Sequence, residues 1–222
     1  MKIFRTLKLL CTCLLLLAGL AGCACAAAPV KTVRGQAGAG EVSFAKEEAK
    51  RLDVFFSNFA EAGLPFFALD AASREDLLNF GVEHVLINNL SALRSVGGSY
   101  AVPADRVKSA VKKYFGRELT PSATKRFPFK DGCFIAPQAS GEAYKFAQIV
   151  DMTPAGGGLF KATVKLYTAS SGFTGDSHGT PQQWRKSSTE DVPAESGVVR
   201  ALISRSRIEP GRYFLRAYQQ AR

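Results

Sequence analysis

Histidine is scarce in this chain of 222 residues, which has only His84 and His178. Methionine is equally rare, and tryptophan occurs once, at Trp184. Acidic residues are the next shortage, with 19 Asp and Glu against 29 Lys and Arg. There is no CxxC pair and no zinc-ligand spacing, which excludes the common thiolate metal sites and the thioredoxin-type redox motif. No serine or cysteine nucleophile motif accompanies Asp176 and His178, so the order of the residues spells out no catalytic set. No segment repeats, which excludes solenoid architectures. Neither a cofactor nor a metal is expected. Only one long uncharged run occurs, and it lies at the N-terminus.

That run comes after Lys2, Arg5 and Lys8, extends from Leu9 to Leu20, and includes Leu14 to Leu17. A basic stretch succeeded by an apolar one is the layout of a secretory signal. It ends in Leu20-Ala21-Gly22-Cys23, which resembles the bacterial lipobox. The resemblance implies removal of residues 1–22, a lipid on Cys23, and a place in the cell envelope of a bacterium, facing the periplasm or the exterior. Two alternatives stay open. Ala24-Cys25-Ala26 fits an ordinary cleavage site. The uncharged stretch from Leu9 to Val30 is also long enough to span a bilayer. Of the five cysteines, two leave with the signal and Cys23 would carry the lipid. Only Cys25 and Cys133 remain to pair, and a cysteine in a flexible tether rarely meets disulfide geometry.

The remainder of the chain has the composition of a globular domain, since the chain as a whole is 46% hydrophobic. Loss of Lys2, Arg5 and Lys8 takes the formal net charge from +10 to +7. A basic exported protein is drawn to anionic lipid, to acidic polysaccharide or to an acidic patch on another protein. Nucleic acid is not expected as a partner outside the cell. Residues 23–42 are rich in Ala and Gly and read as a flexible tether. Residues 43–222 read as a single domain.

Within that domain, Ala45, Ala49, Leu52, Phe56 and Phe59 mark one face of a helix over 43–62, stopped by Gly63 and Pro65. Ser73 and Asp76 form a capping-box-like start for a second helix to about Asn89. Its apolar residues cover most of its circumference, so it should be deeply buried. Gly81 in its middle implies a close helix contact. His84 and Asn88 lie one turn apart on it and are candidate pocket residues, as is Trp184. Tyr100 to Val102 reads as a short strand. Val107, Ala110, Val111, Tyr114 and Phe115 define a third helix with Pro103 at its first position, ended by Gly116. Its off-stripe lysines should be solvated.

From Phe127 the period changes to that of strands. Asp131-Gly132 marks one hairpin turn. Residues 143–152 and 159–168 form a second hairpin, and residues 198–208 and 212–219 a third. Pro210 and Gly211 stand where a type II turn wants them. The segment from Ala169 to Gly197 reads as a long loop in which Thr180 and Pro181 start a short helix carrying Trp184.

Helices first and hairpins after predict an α+β fold, with three N-terminal helices on a curved antiparallel sheet of about five to six strands. The order of elements over 43–219 resembles the nuclear-transport-factor-2-like cone, with a cystatin-like fold as the alternative. Leu52-Asp-Val-Phe-Phe-Ser-Asn-Phe59, Asp76-Leu-Leu-Asn-Phe-Gly-Val-Glu-His84 with Ile87-Asn-Asn89, and Tyr167-Thr-Ala-Ser-Ser-Gly-Phe-Thr-Gly175 resemble segments of uncharacterised bacterial lipoproteins. That resemblance supports the lipid anchor and implies no chemistry.

Residues 198–222 hold six arginines against Glu209 alone. A two-residue turn at Pro210-Gly211 predicts a register in which Arg205 faces Arg216 and Arg207 faces Phe214. That register puts Arg205, Arg207, Arg212 and Arg216 on one face with Phe214 and Tyr218, a candidate anion-binding surface. Leu202, Ile208, Tyr213, Leu215 and Ala217 then form the core face. Two functional expectations arise. One is a non-enzymatic, lipid-anchored module that binds a ligand or partner. The other is a cavity enzyme, a hydrolase or isomerase, with His84 as acid/base.

Overall fold

The computed structural model describes residues 45–138, 143–187 and 191–221. The expected signal and tether, with Cys23 and Cys25, and Arg222 lie outside the described residues. The fold is α+β, with four helices and two antiparallel sheets of four strands each among the described residues.

The helix α1 (Lys46–Glu61) buries Leu52, Phe56 and Phe59 of the face that the apolar spacing marked, and Phe55 beside them; Ala49 is half-buried and Ala45 stands exposed just before the helix. Glu47 and Glu48 in its first turn suit the positive end of the helix dipole. The next helix, α2 (Arg74–Asn89), begins with the expected capping box. The Ser73 hydroxyl accepts the Asp76 N–H at 3.0 Å, and the Ser73 N–H is returned to the Asp76 carboxylate at 3.3 Å. The third, α3 (Ala104–Phe115), buries Val107, Ala110, Val111, Tyr114 and Phe115 and ends at Gly116 with φ +65°. Pro103 is the residue just before this helix rather than its first. Gly81 is where α2 meets α3: a Cβ there would lie 2.7 Å from Val107 Cγ1.

Four short strands, β1 (Arg94–Val96), β2 (Ser99–Pro103), β3 (Phe129–Lys130) and β4 (Cys133–Pro137), form one sheet in the order β1-β2-β4-β3. The Asp131-Gly132 turn joins β3 to β4 with φ of 50° and 74°, the left-handed pair of a type I′ hairpin. Cys133 is a free thiol in β4.

Four longer strands make the second sheet in chain order: β5 (Ala143–Gly156), β6 (Leu159–Ser170), β7 (Ala194–Arg205) and β8 (Tyr213–Gln220). Two separate sheets replace the single curved sheet of five to six strands. The physical reason lies in the pairing: β2 pairs with β4 across α3, so the early strands close on each other and leave the long hairpins to themselves. The inner face of the second sheet carries Met152, Ala162, Val164, Val199, Ile203 and Leu215 into a core with α1, α2 and α3. A second cluster joins Leu78, Val82, Val85 and Val107 of the helices to Val102, Phe127 and Phe134 beneath them.

Both edges of the second sheet are covered. On the β5 edge, α1 supplies acceptors to the free strand N–H groups: Asp53 Oδ1 takes Ile149 N–H at 2.7 Å and Ser57 Oγ takes Ala147 N–H at 2.9 Å. Four helical residues rise about 6 Å and two strand residues about 6.6 Å, so the two ladders nearly match. On the β8 edge, Phe67 and Tyr218 exchange backbone hydrogen bonds of 2.7 and 3.0 Å, and Asp70 N–H donates to Arg216 O. Each edge is thus capped over its middle, which blocks strand addition there.

The last hairpin departs from its expected register. Arg205 stands opposite Tyr213, three residues short of Arg216, because residues 206–212 form a loop longer than two residues. The turn chemistry itself is as expected: Arg212 N–H donates to Glu209 O at 3.2 Å and Gly211 takes φ +77°. Ser206 lengthens the loop, its hydroxyl accepting the N–H groups of Ile208 and Glu209 at 3.2 and 3.0 Å. An odd shift exchanges the two faces of a strand. Ile203 is therefore in the core in place of Leu202. Ile208 falls in the loop and is 90% exposed. A bulge at Arg216, between the pairs Ile203–Leu215 and Leu202–Ala217, then turns Tyr218 inward against Phe59.

Candidate functional site

The arginines gathered by the expected register are divided by the observed one. Arg205 reaches α1, where it pairs with Glu48 at 2.9 Å and lies over the ring of Phe160. Arg207 is exposed in the loop. Arg212 and Arg216 flank Phe214, each guanidinium carbon 5.7 Å from the ring centre. Arg216 donates to Ser204 Oγ at 3.0 Å and pairs with Asp70 at 3.5 Å, while Arg212 pairs with Glu209. The like-charge contact of Arg205 with Arg216 does not form, and Tyr218 belongs to the core rather than to this surface.

The three candidate pocket residues do not meet. His84 is buried in α2, its ring stacked on Phe80 at 5.8 Å and edge-on to Tyr114 at 4.9 Å. Asn88 donates to His84 Nδ1 at 3.1 Å and to its backbone carbonyl at 2.9 Å, which leaves the imidazole proton on Nε2. Burial, with the charge of Lys113 next, pushes His84 down to about 4. Trp184 sits far from this pair, on the outer face of the second sheet. Its helix α4 (Pro181–Ser187) starts as expected, with Gln183 N–H on Thr180 Oγ1 at 3.3 Å. Trp184 is packed among Phe146, Tyr167 and Phe173, with Nε1–H donated to Asp176 O at 2.7 Å.

The loop that carries Trp184 is pinned rather than loose. Gln148 on β5 donates to Ser177 O and Gly179 O at 2.6 and 2.8 Å. His178 reaches past the edge of the sheet to α1, where its Nδ1–H lies 2.9 Å from Asp53 Oδ2. The carboxylate of Asp176, two residues before it, accepts the His178 backbone N–H at 2.9 Å rather than the ring. Burial raises the Asp53 carboxyl, and the His178 and Ile149 hydrogen bonds oppose that rise. Asp53 thus holds β5 and the loop at once. A pair separated by 125 residues leaves no trace in sequence spacing.

A cleft of about 410 Å³ opens between α1, the end of α3 and the β7–β8 turn. Val54, Phe55 and Tyr213 line its apolar part; Arg51, Lys113 and Arg212 bring three positive charges to it and Glu209, paired with Arg212, one negative charge. Tyr114 also lines it; His84, packed behind Tyr114, does not. Arg51 lies over the turn, its Nη1 2.7 Å from where a Cβ of Gly211 would stand. Of these residues only Arg212 was a sequence candidate. Lys113 read as a solvated lysine, and Arg51 carried no expectation as a site residue. The signal that could have found them is their charge, once α1 and α3 are placed side by side. The described residues hold no cluster of three metal-ligating side chains, and no described helix is long and apolar enough to cross a membrane.

No protein-family model, curated protein or solved structure matches the chain. The chemistry of the site therefore rests on its own geometry. The cleft can take an anionic group beside an apolar one. Asp53 and His178 form a carboxylate–imidazole pair, but both are occupied in holding the loop to α1.

Proposed function

We propose that the protein is a lipid-anchored domain of the bacterial cell envelope that binds an anionic ligand or partner without catalysis. The observation that carries the binding part is the cleft lined by Arg51, Lys113 and the Glu209-paired Arg212 together with Val54, Phe55 and Tyr213, which leaves a net positive charge beside an apolar wall. The packing of His84 against Phe80 and Tyr114 favours this reading over acid/base catalysis, because a general base needs a substrate within hydrogen-bond reach. The lipobox at Cys23 supports the anchor. The order of helix, helix, short strands, helix and long hairpins supports a nuclear-transport-factor-2-like arrangement, and that part of the reading rests on element order alone.

Membrane fractionation tests the anchor. Cys23→Ser is expected to release the protein from the membrane fraction or to leave the precursor uncleaved, and unchanged attachment with unchanged processing refutes it. The cleft is tested by titrating the protein with dodecyl phosphate. Arg51→Gln combined with Lys113→Gln is expected to weaken binding at least tenfold, since each charged contact contributes roughly 1 kcal/mol or more. A turnover that His84→Gln abolishes in a folded protein would establish the enzyme reading instead.

A further inference from the structure

The most exposed large apolar side chain among the described residues is Ile208, at 90%. It stands at the tip of the β7–β8 loop, held there by the Ser206 and Arg212 hydrogen bonds rather than left in a slack segment. Its position relative to the rest of the chain gives it meaning. The loop lies against the start of α1: Arg205 and Tyr213 both bond Glu48, and Arg51 covers Gly211. The start of α1 is also where residues 1–44 join the domain. An anchor at Cys23 therefore enters the fold beside Ile208.

This end of the molecule is basic. Lys46, Lys50 and Arg51 come from α1, and Arg205, Arg207 and Arg212 from the hairpin, against Glu47, Glu48 and Glu209. Glu48 and Glu209 are already taken by Arg205 and Arg212. Lys46, Lys50, Arg51 and Arg207 make no ion pair among the described residues. Val54, 54% exposed, continues the apolar surface along α1. An exposed apolar tip with Arg207 next to it in the chain, Arg51 over its turn and Lys46 and Lys50 on the helix its loop lies against complements one kind of surface, a bilayer of anionic phospholipid. The apolar tip fits the acyl boundary and the cations fit the headgroups.

We infer that the β7–β8 loop is a membrane-seating element: Ile208 inserts into the interfacial layer of an anionic bilayer, and Lys46, Lys50, Arg51 and Arg207 contact its phosphates. The inference rests on the lipid-anchored reading for its geometry. Twenty-one residues separate Cys23 from Ala45, and a flexible chain of that length would have a root-mean-square span of about 25 Å. The tether keeps the loop at high effective concentration near the bilayer, so a weak contact suffices to orient the domain. The aromatic cluster at Trp184 then faces away. It packs near the start of β7, and the ten residues from Glu195 to Arg205 span roughly 33 Å.

Full-length protein reconstituted into vesicles with brominated acyl chains decides the matter. The wild type reports on Trp184 at the far end, and Ile208→Trp adds a reporter at the tip without touching the core. In vesicles containing phosphatidylglycerol, roughly half or more of the added emission should be quenched, as for a side chain 5–10 Å into the interface. Trp184 should be unaffected. In phosphatidylcholine alone, or when salt rises from about 0.1 M to about 1 M, the quenching should fall away. Lys50→Gln with Arg207→Gln should weaken it by roughly fivefold per charge. No quenching at position 208 overturns the inference, as does equal quenching in both vesicle types or stronger quenching of Trp184. The Cys23→Ser fractionation reads the anchor separately. Loss of quenching with the anchor intact overturns the seating alone, and quenching that persists when the anchor reading fails leaves the seating standing.

Discussion

His84 and Glu61 are ionisable groups that burial moves in opposite directions. His84 falls from 6.5 to about 4. Between those values the unfolded chain takes up a proton that the fold refuses, so this residue makes stability fall as pH drops from about 6.5 to 4. Glu61 rises from 4.5 to about 7 through burial alone. Its folded carboxyl keeps a proton that the unfolded chain has lost, so it makes stability fall as pH rises from about 4.5 to 7. The two slopes oppose each other, and single variants separate them. Glu61→Gln should exceed the wild type in stability above pH 7 by on the order of 1–2 kcal/mol, after allowance for partial exposure. The gain should vanish below about pH 4.5. His84→Gln should remove the loss between about pH 6.5 and 4, and should change stability near neutrality by up to about 3 kcal/mol through lost packing. Urea titrations at a series of pH values measure both. A wild-type slope that neither variant alters would show that other groups set the pH response.

At the scale of elements, α1 does more than bury an apolar stripe. Its opposite side closes the β5 edge through Asp53 and Ser57, and Asp53 also fastens the loop of Trp184 through His178. Asp53→Ala leaves the Ile149 N–H without its acceptor and the His178 ring without its partner. A loss of about 2–3 kcal/mol is expected. Cleavage by trypsin at Arg185 or Lys186 should accelerate as the loop is released. If cleavage there stays as slow as in the wild type, Asp53 does not hold the loop. The contact of α2 with α3 turns on Gly81. Alanine would gain about 1 kcal/mol of helix propensity. Its Cβ would also meet Val107 Cγ1 at 2.7 Å and Val107 O at 3.0 Å, and backbone oxygen cannot rotate away. Gly81→Ala should therefore destabilise by about 1–3 kcal/mol, seen as a lower Tm; a raised Tm would mean that the two helices part easily.

For the whole molecule, local rules and long-range pairing decided different things. Helix positions, the Ser73 capping box, the Gly116 stop, the Asp131-Gly132 turn and the Thr180 helix start were legible in the sequence. Each is set by residues within one or two turns, and so was the α+β class that their order implies. The basic balance is likewise a property of composition. The sheet count was not legible, because β2 and β4 pair across a whole helix. Nor was the register of the last hairpin. Ile203 and Leu202 alternate equally well with solvent or core, and the Ser206 hydroxyl lengthened the loop that chose between them. That choice moved Ile208 from a supposed core position to the exposed tip, and divided the arginines. The Asp53–His178 contact and the cleft of Arg51, Lys113 and Arg212 also waited on the fold, since they join residues from distant parts of the chain. Sequence by itself determined the local elements and the sign of the charge. Only tertiary packing decided where that charge gathers, because a strand that slips by an odd number of residues exchanges its faces.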